Sequence, residues 1–210
     1  MLEHILKGGP LMVPLILCSL VSLAVVYERW MAFRKNRKID TRALRSKVLA
    51  SLRANDPDAA IAECAATGGP VASVLLVGLR SYQQMHDKNE SSEMMRMVVG
   101  QVMEDYSVQA MGVVNKRLDV LTTIGTAAPL LGMTGTVTGM IVSFKGMAEV
   151  AGGADVAEGI SEALVTTAVG LIIALLAVLP LSVFNRWSDE IELEIEEATA
   201  ELFEFILTHH

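Results

Sequence analysis

Hydroxyl-bearing side chains recur along one line of an apolar segment at 120–144. The line runs through Thr122, Thr126, Pro129, Met133, Thr136, Met140 and Ser143. Its alternating spacing of four and three residues places these side chains on one face of a helix. A hydroxyl both donates and accepts hydrogen bonds, so such a face can solvate a polar group inside a membrane. The same residues can also do no more than pack helices, because threonine within a span commonly bonds its own backbone.

Glycine occupies the neighbouring line of the same segment, which contains Gly125, Gly132, Gly135, Gly139 and Gly146. A second apolar segment at 163–184 has its own line of small residues, namely Ala163, Thr167, Gly170, Ala174 and Ala177. Small side chains allow helix backbones to approach closely. We therefore predict that the two helices pack together through Gly132, Gly135, Gly139 and Gly170.

Charged residues are absent from both apolar segments. Glu162 lies just outside the second segment, at the predicted outer edge of the membrane, where a carboxylate is either simply solvated or functional. An ionisable residue within a bilayer is expensive and usually serves a function, but neither segment has one. If protons cross the membrane along these helices, the acid that carries them must belong to another chain.

The two apolar segments are long enough to cross a membrane. Their 25 and 22 residues cover roughly 37 and 33 Å as helices, against a hydrocarbon core of about 30 Å. A further uncharged stretch at 8–27, broken only by two prolines, predicts a first span. Basic residues follow this stretch, which argues against a signal peptide and places the amino terminus outside and residue 30 onward in the cytoplasm. They are Arg29, Arg34, Lys35, Arg37, Lys38, Arg42, Arg45 and Lys47.

The region between the first and second spans contains residues that typically begin or end helices. Asp56 and Pro57 predict a helix start, with Asp56 as the cap, and the glycines at 68–69 predict its end. A second helix from Val71 to about Met85 completes a hairpin. A third helix is predicted from about residue 92 straight into the second span, without interruption.

The third span is predicted to begin at a capping box, from Asp155 to Glu158. Beyond the span, apolar residues repeat at spacings of four and three, which is typical of an amphipathic helix. They are Ile191, Ile195, Ala198, Leu202 and Phe205. This pattern predicts that the third span continues as a helix into the cytoplasm.

The sequence thus predicts an all-α membrane protein with three transmembrane helices and long cytoplasmic helical extensions. The predicted parts are an outside amino terminus with the first span (1–29), a cytoplasmic helical region (30–118), the second span (119–145), a periplasmic loop (146–159), the third span (160–185) and a cytoplasmic amphipathic helix (186–210).

The composition and the missing motifs exclude several classes of function. The chain has 210 residues, of which 52% are hydrophobic, and a net charge of −7, which argues against nucleic acid as a partner. Cys18 and Cys64 fall in different predicted environments, so we predict no disulfide between them. The sequence contains no nucleophile–base pair, phosphate-binding loop or metal-ligand spacing. It therefore predicts neither an enzyme nor a bound cofactor or metal.

Two stretches resemble the span signatures of the MotA/TolQ/ExbB proton channel family. The first is APLLGMTGTVTGM at 128–140, followed by Ser143 and Phe144, and the second is ISEALVTTAVGL at 160–171. The predicted topology, with three spans and a large first cytoplasmic loop, is similar to the ExbB and TolQ branches rather than to the four-span MotA branch. The resemblance covers nearly the whole chain.

The resemblance implies an inner-membrane stator driven by the proton gradient. It implies a homopentamer whose central pore holds two copies of a single-span ExbD- or TolR-type partner, with the proton carried by an intramembrane Asp of that partner. By matching motifs, Thr136 and Thr167 are implied to be the pore threonines, and Glu162 a carboxylate near the pore mouth. Their hydroxyls would solvate the partner's Asp in either its neutral or its ionised form.

A secondary set of pore or packing residues surrounds these three. It comprises Thr122, Thr126, Pro129, Met133, Met140, Ser143 and Thr166. The choice between Thr166 and Thr167 as the pore residue depends on the alignment of the motif alone.

Two classes of function follow. The first is a proton-driven motor subunit in the bacterial inner membrane, with a periplasmic amino terminus and a cytoplasmic carboxyl terminus. The general likeness favours an ExbB-type subunit, which would energise TonB-dependent transport at the outer membrane. The alternative is a TolQ-type subunit, which would act with TolA in the Tol-Pal envelope system. The second class is a non-conducting scaffold that assembles membrane partners through its small-residue faces.

Overall fold

The computed structural model describes residues 11–88, 91–149 and 153–208. Within these ranges the chain forms seven helices and no strand. They are α1 Met12–Asn36, α2 Thr41–Arg53, α3 Pro57–Thr67, α4 Gly69–Asp87, α5 Ser92–Val114, α6 Leu118–Glu149 and α7 Gly153–Thr208. Three of them, α1, α6 and α7, are long and apolar enough to cross a membrane. The prediction of an all-α protein with three spans is confirmed.

The described residues form two compact units. The first, called the span unit here, contains the described residues up to Trp30 together with those between Arg117 and Phe184. The second, called the hairpin unit, contains Met31–Lys116 and the described residues from Asn185 onward. Helices α1 and α7 each contribute residues to both units.

The hairpin unit contains the predicted helical hairpin. The Asp56 side chain caps α3 by accepting a hydrogen bond from the Ala59 N–H at 3.0 Å, and Pro57 is the first helical residue. Helix α3 ends at Gly68, where φ is 67°, a backbone conformation that glycine adopts without strain. These predictions from the sequence are confirmed.

One helix of the hairpin unit was not predicted. Helix α2 follows Asp40, whose side chain accepts a hydrogen bond from the Ala43 N–H at 2.9 Å, and it buries Leu44, Val48 and Leu52. Its apolar positions are spaced as on a helix, but they lie within the basic run that we interpreted only as a topology signal. Because the basic residues drew the interpretation, the helical spacing of the apolar residues between them was not used to predict an amphipathic helix.

The predicted uninterrupted helix from residue 92 into the second span is wrong. Helix α5 ends at Val114, and α6 begins at Leu118 after a turn in which Arg117 has a φ of 65°. Neither Gly nor Pro marks this turn. Asn115 forms the helix end instead, with its N–H bonded to the Met111 carbonyl and its side-chain oxygen accepting a hydrogen bond from Ser188. Such a tertiary contact leaves no trace in a local sequence pattern.

The connection between α6 and α7 is shorter than the predicted loop at 146–159, because α6 continues to Glu149 and α7 begins at Gly153. Asp155 is therefore not the residue that precedes α7, as the capping-box prediction required. The side chain of Asp155 lies outside the described part of the chain, as do residues 150–152 and the start of the predicted first span at 8–10.

Helix α7 continues without a break past Pro180 to Thr208. The predicted apolar stripe of its last part is buried, with Ile191, Ile195, Ala198, Leu202 and Phe205 all under 10% exposed. The Phe205 ring meets that of Tyr82 edge-on, with the ring centroids 6.3 Å apart. The predicted helical extension of the third span is confirmed.

Candidate functional site in the membrane helices

Helices α6 and α7 of the span unit pack as an antiparallel pair. Four glycines of the α6 line (Gly125, Gly132, Gly135 and Gly139) lie against α7, and the contacted residues have higher numbers as the glycine numbers fall. A methyl group added at Gly139 would meet the Ala163 Cβ at 2.6 Å, and one at Gly135 would meet the Thr166 Cγ2 at 2.7 Å. One at Gly125 would meet the Val178 Cγ2 at 2.6 Å. A side chain at any of these positions would force the neighbouring group on α7 to shift, so glycine allows the close contact.

The closest approach of the two backbones lies between Gly132 and Gly170. A Cβ on Gly170 would be 2.6 Å from the Ala128 carbonyl oxygen and 3.2 Å from the Gly132 Cα. A Cβ on Gly132 would be 3.0 Å from the Thr167 Cα. These neighbours are backbone atoms, which cannot rotate away as a side chain can. The pair is therefore fixed in register at this level.

Thr167 links the two helices by a hydrogen bond at the same level. Its hydroxyl donates to the Gly132 carbonyl of α6 at 2.7 Å. On α6, the Thr136 hydroxyl donates to the neighbouring carbonyl, that of Met133, also at 2.7 Å. The two threonines singled out from the sequence are thus anchored on consecutive carbonyl groups of one helix.

Thr166 occupies a different position from Thr167. Its side chain is 2% exposed and packs against Gly135 of α6. Its hydroxyl donates a hydrogen bond to the Glu162 carbonyl at 3.3 Å. Thr167 is half-buried. Within one chain, Thr166 is therefore part of the packed contact between the helices, and Thr167 lies at its margin.

The hydroxyl-bearing line of α6 is left largely uncovered by the rest of the chain. Thr122, Thr126, Met133 and Met140 are exposed, whereas Pro129, Thr136 and Ser143 are half-buried. The apolar part of α7, at 163–184, has a different chemistry, since the large side chains that it leaves exposed are all aliphatic. They are Leu164, Val165, Leu171, Ile172, Leu175, Leu176, Val178, Leu179 and Val183. This α7 face suits lipid tails. The exposed surface of α6 is mixed, because it combines hydroxyl groups with apolar side chains such as Leu130, Val137 and Ile141.

Glu162 lines a cavity of about 270 Å³ at one end of the helix pair. Thr138, Ser143 and Thr166 contribute hydroxyl-bearing residues to the same wall, with Gly139 among the small residues that leave the space. Glu162 as a whole is half-buried. The structure therefore places Glu162 in the wall of one cavity together with three hydroxyl-bearing residues.

Two residues of the contact were missed from the sequence. Ala128 packs against Gly170, as described above, and Gly159 packs against the Ser143 side chain with no room for a Cβ. Gly159 lies four residues before Ala163, so extending the small-residue line of α7 backwards would have found it. For Ala128 the sequence offered no comparable signal, because alanine is common on every face of an apolar helix.

The described ranges contain no group of three or more His, Cys, Asp or Glu side chains that could hold a metal ion. Both cysteines are free thiols. The chemistry of the site is accordingly that of hydroxyl groups, backbone carbonyls and one carboxylate.

A tightly packed pair of apolar helices, with hydroxyl groups along one face of α6, defines the chain as a multi-span helical membrane protein. The chain belongs to the MotA/TolQ/ExbB proton channel family, whose sequence profile matches residues 67–197. The match covers α4 to α6 and most of α7, including both span signatures.

Relatives in this family have ExbB and TolQ names. The ExbB-like 1 biopolymer transport protein of Synechocystis sp. is 31% identical over 185 residues, which are 85% of this chain and 68% of the relative. The biopolymer transport protein exbB1 of Vibrio cholerae is 41% identical over 85 residues, 39% of this chain and 37% of the relative. The Tol-Pal system protein TolQ of Pseudomonas aeruginosa is 45% identical over 80 residues, 37% of this chain and 33% of the relative. The matches thus span about two thirds of the first relative and about a third of the other two.

Proposed function

We propose that this chain is the channel-forming stator subunit of a proton-driven motor in the bacterial inner membrane. The observation that carries the proposal is the pairing of Thr136 and Thr167 on consecutive carbonyls of α6. This arrangement fixes two hydroxyl oxygens at membrane depth, on a helix pair whose spacing is set by glycine. Fixed polar groups of this kind are what a proton-carrying side chain needs in a bilayer.

The proton itself is carried by a partner. The uncharged parts of the second and third spans offer no carboxyl group, and Glu162 lies outside them. We propose that five copies of this chain surround an ExbD- or TolR-type single-span protein, whose intramembrane acid passes the threonines of each copy in turn. The uncovered hydroxyl face of α6 supports this arrangement, because it would line the central space while the aliphatic face of α7 meets lipid.

The proposed orientation places the amino terminus in the periplasm and the hairpin unit in the cytoplasm. It is supported by the basic residues that directly follow the first span. The ExbB names among the relatives favour a role in energising TonB-dependent transport, whereas the TolQ relative supports the Tol-Pal envelope system as the alternative.

The proposal is tested by reconstituting the full chain in liposomes, alone and together with an ExbD-type partner. With a pH gradient imposed, we expect proton leak only when both proteins are present, and we expect the partner to co-purify with the chain. A non-conducting scaffold, the second class of function, would retain the partner without any leak. That result would refute the channel and leave assembly as the function.

A further inference from the structure

All the hydroxyl groups of α6 donate hydrogen bonds to backbone carbonyls of that helix. Each of its six threonines and its single serine donates to a carbonyl three or four residues earlier, at distances from 2.7 to 3.3 Å. These residues are Thr122, Thr123, Thr126, Thr134, Thr136, Thr138 and Ser143. Thr167 of α7 donates to Gly132 of α6 in the same way.

The direction of these hydrogen bonds follows from the chemistry of the two groups. A carbonyl oxygen can only accept, so the hydroxyl must supply the hydrogen, and a hydroxyl has only one. Each of these side chains therefore has nothing left to donate. What it offers to a neighbouring molecule is the lone pairs of its oxygen.

We propose that the surface formed by Thr136 and Thr167 acts as a hydrogen-bond acceptor only, and that it binds a neutral, protonated carboxylic acid in preference to the ionised carboxylate. The inference rests on the proposed function, because the acid in question belongs to the single-span partner. It changes the expectation from the sequence that these hydroxyls solvate both forms alike.

A protonated carboxyl group has an O–H that can donate to these lone pairs, whereas a carboxylate has none. To solvate the carboxylate, a threonine would first have to rotate and release its carbonyl. For Thr167 that rotation breaks a hydrogen bond that joins α6 and α7 at a level where their backbones lie close together. The loss of one such bond corresponds to a preference of roughly threefold to tenfold for each hydroxyl.

A dry environment alone also favours the neutral acid, because burial penalises charge. A substitution that adds a hydrogen-bond donor to the site separates the effect of a dry environment from the effect of acceptor-only hydroxyl groups. In Thr136→Asn the amide N–H groups can reach a carboxylate, while the surroundings stay as dry as before. The acceptor proposal predicts that this variant loses the preference, and a pure effect of burial predicts that it does not.

The experiment compares two forms of an ExbD-type partner, with its intramembrane acid as Asp or as Asn. The Asn amide is neutral and donates hydrogen bonds, so it imitates the protonated acid. Each form is co-expressed with the full chain, and partner retention on the purified chain is measured across a pH titration. Thr123→Asn serves as the control, because Thr123 is an exposed threonine of α6 near the far end of the helix.

We expect the wild-type chain at alkaline pH to retain the Asn partner roughly tenfold better than the Asp partner, with the gap closing as the pH falls. The gap should shrink severalfold in Thr136→Asn and persist in Thr123→Asn. Equal retention of both partners by the wild-type chain at every pH overturns the inference, and this comparison needs no variant of the chain to fold. An unchanged gap in Thr136→Asn also overturns it. If neither partner is retained and no proton leak occurs, the proposed function itself has failed.

Discussion

The hydroxyl of Thr167 donates a hydrogen bond to the carbonyl of Gly132 at 2.7 Å, across the contact between α7 and α6. The bond forms where the absence of a side chain on Gly132 lets the Thr167 backbone come close, since an added Cβ would be 3.0 Å from its Cα. One glycine thus serves two purposes. It allows the helices to approach, and its carbonyl orients the threonine.

Substitution of the contact glycines by alanine is expected to destabilise the span unit in a graded way. Gly170→Ala should be the most disruptive, because its Cβ would lie 2.6 Å from the Ala128 carbonyl oxygen, and Gly132→Ala should follow. Overpacking of this kind costs about 1–3 kcal/mol. The measurement is thermal unfolding of the purified full chain.

Gly146→Ala is the matched control on α6, the helix that contains Gly132, because an added Cβ at Gly146 meets nothing within 4 Å. It should leave the unfolding temperature unchanged. Equal losses at all three positions would show that alanine harms α6 and α7 for a reason other than their close approach.

Removing the buried Arg45 of the hairpin unit is expected to cost less stability than removing its two carboxylate partners. The Arg45 side chain is 10% exposed and is held by Glu197 at 2.7 Å and Glu201 at 3.5 Å, whose side chains are 49% and 40% exposed. Removing both carboxylates, as in E197Q/E201Q, leaves a buried guanidinium unpaired and should cost about 3 kcal/mol. Arg45→Met leaves two carboxylates that water can reach, so its cost should be below about 1.5 kcal/mol.

The comparison is made by chemical denaturation of the hairpin unit within the full chain, monitored by circular dichroism. If Arg45→Met proves as destabilising as the double glutamine variant, the ion pairs contribute net stability and the expected asymmetry is refuted.

Cys64 is expected to resist thiol reagents. The side chain is 1% exposed, and burial, aided by the neighbouring charge of Glu63, raises the pKa of its thiol to about 11. Because the thiolate is the reactive form, labelling should be slow at neutral pH and should accelerate as the pH rises toward that pKa. A maleimide reaction on the Cys18→Ser chain measures this rate.

The control places a thiol on the exposed side of the same helix, as Ala66→Cys in a chain without Cys18 and Cys64. From the difference in thiolate fraction alone, this thiol should react at least on the order of a hundredfold faster at neutral pH. Similar rates for the two thiols would mean that α3 opens readily and that Cys64 is not held in the core.

Much of this architecture follows from local patterns in the sequence. The spans were predicted because uninterrupted apolar residues leave no other favourable environment. The cap at Asp56 and the helix end at Gly68 were predicted because single residues determine them. The stripe from Ile191 to Phe205 was predicted because helical periodicity places its members on one face.

What the sequence missed depends on contacts between distant residues. The turn at Asn115 is held by Ser188, which is 73 residues away. Likewise, the partner of the Thr167 hydroxyl could not be predicted, because threonine in a helix ordinarily bonds its own preceding turn. The choice of Gly132 depends on the register of α6 against α7, which is set by several glycines together.

Proton flux through liposomes that contain the full chain and an ExbD-type partner tests the central claim most directly. Thr136→Val and Thr167→Val keep the shape of the side chain but remove the oxygen, so each should reduce flux at least about tenfold while the partner is still retained. Thr123→Val, which removes an exposed hydroxyl elsewhere on α6, should conduct like the wild type. Wild-type flux in both Thr136→Val and Thr167→Val would contradict the account.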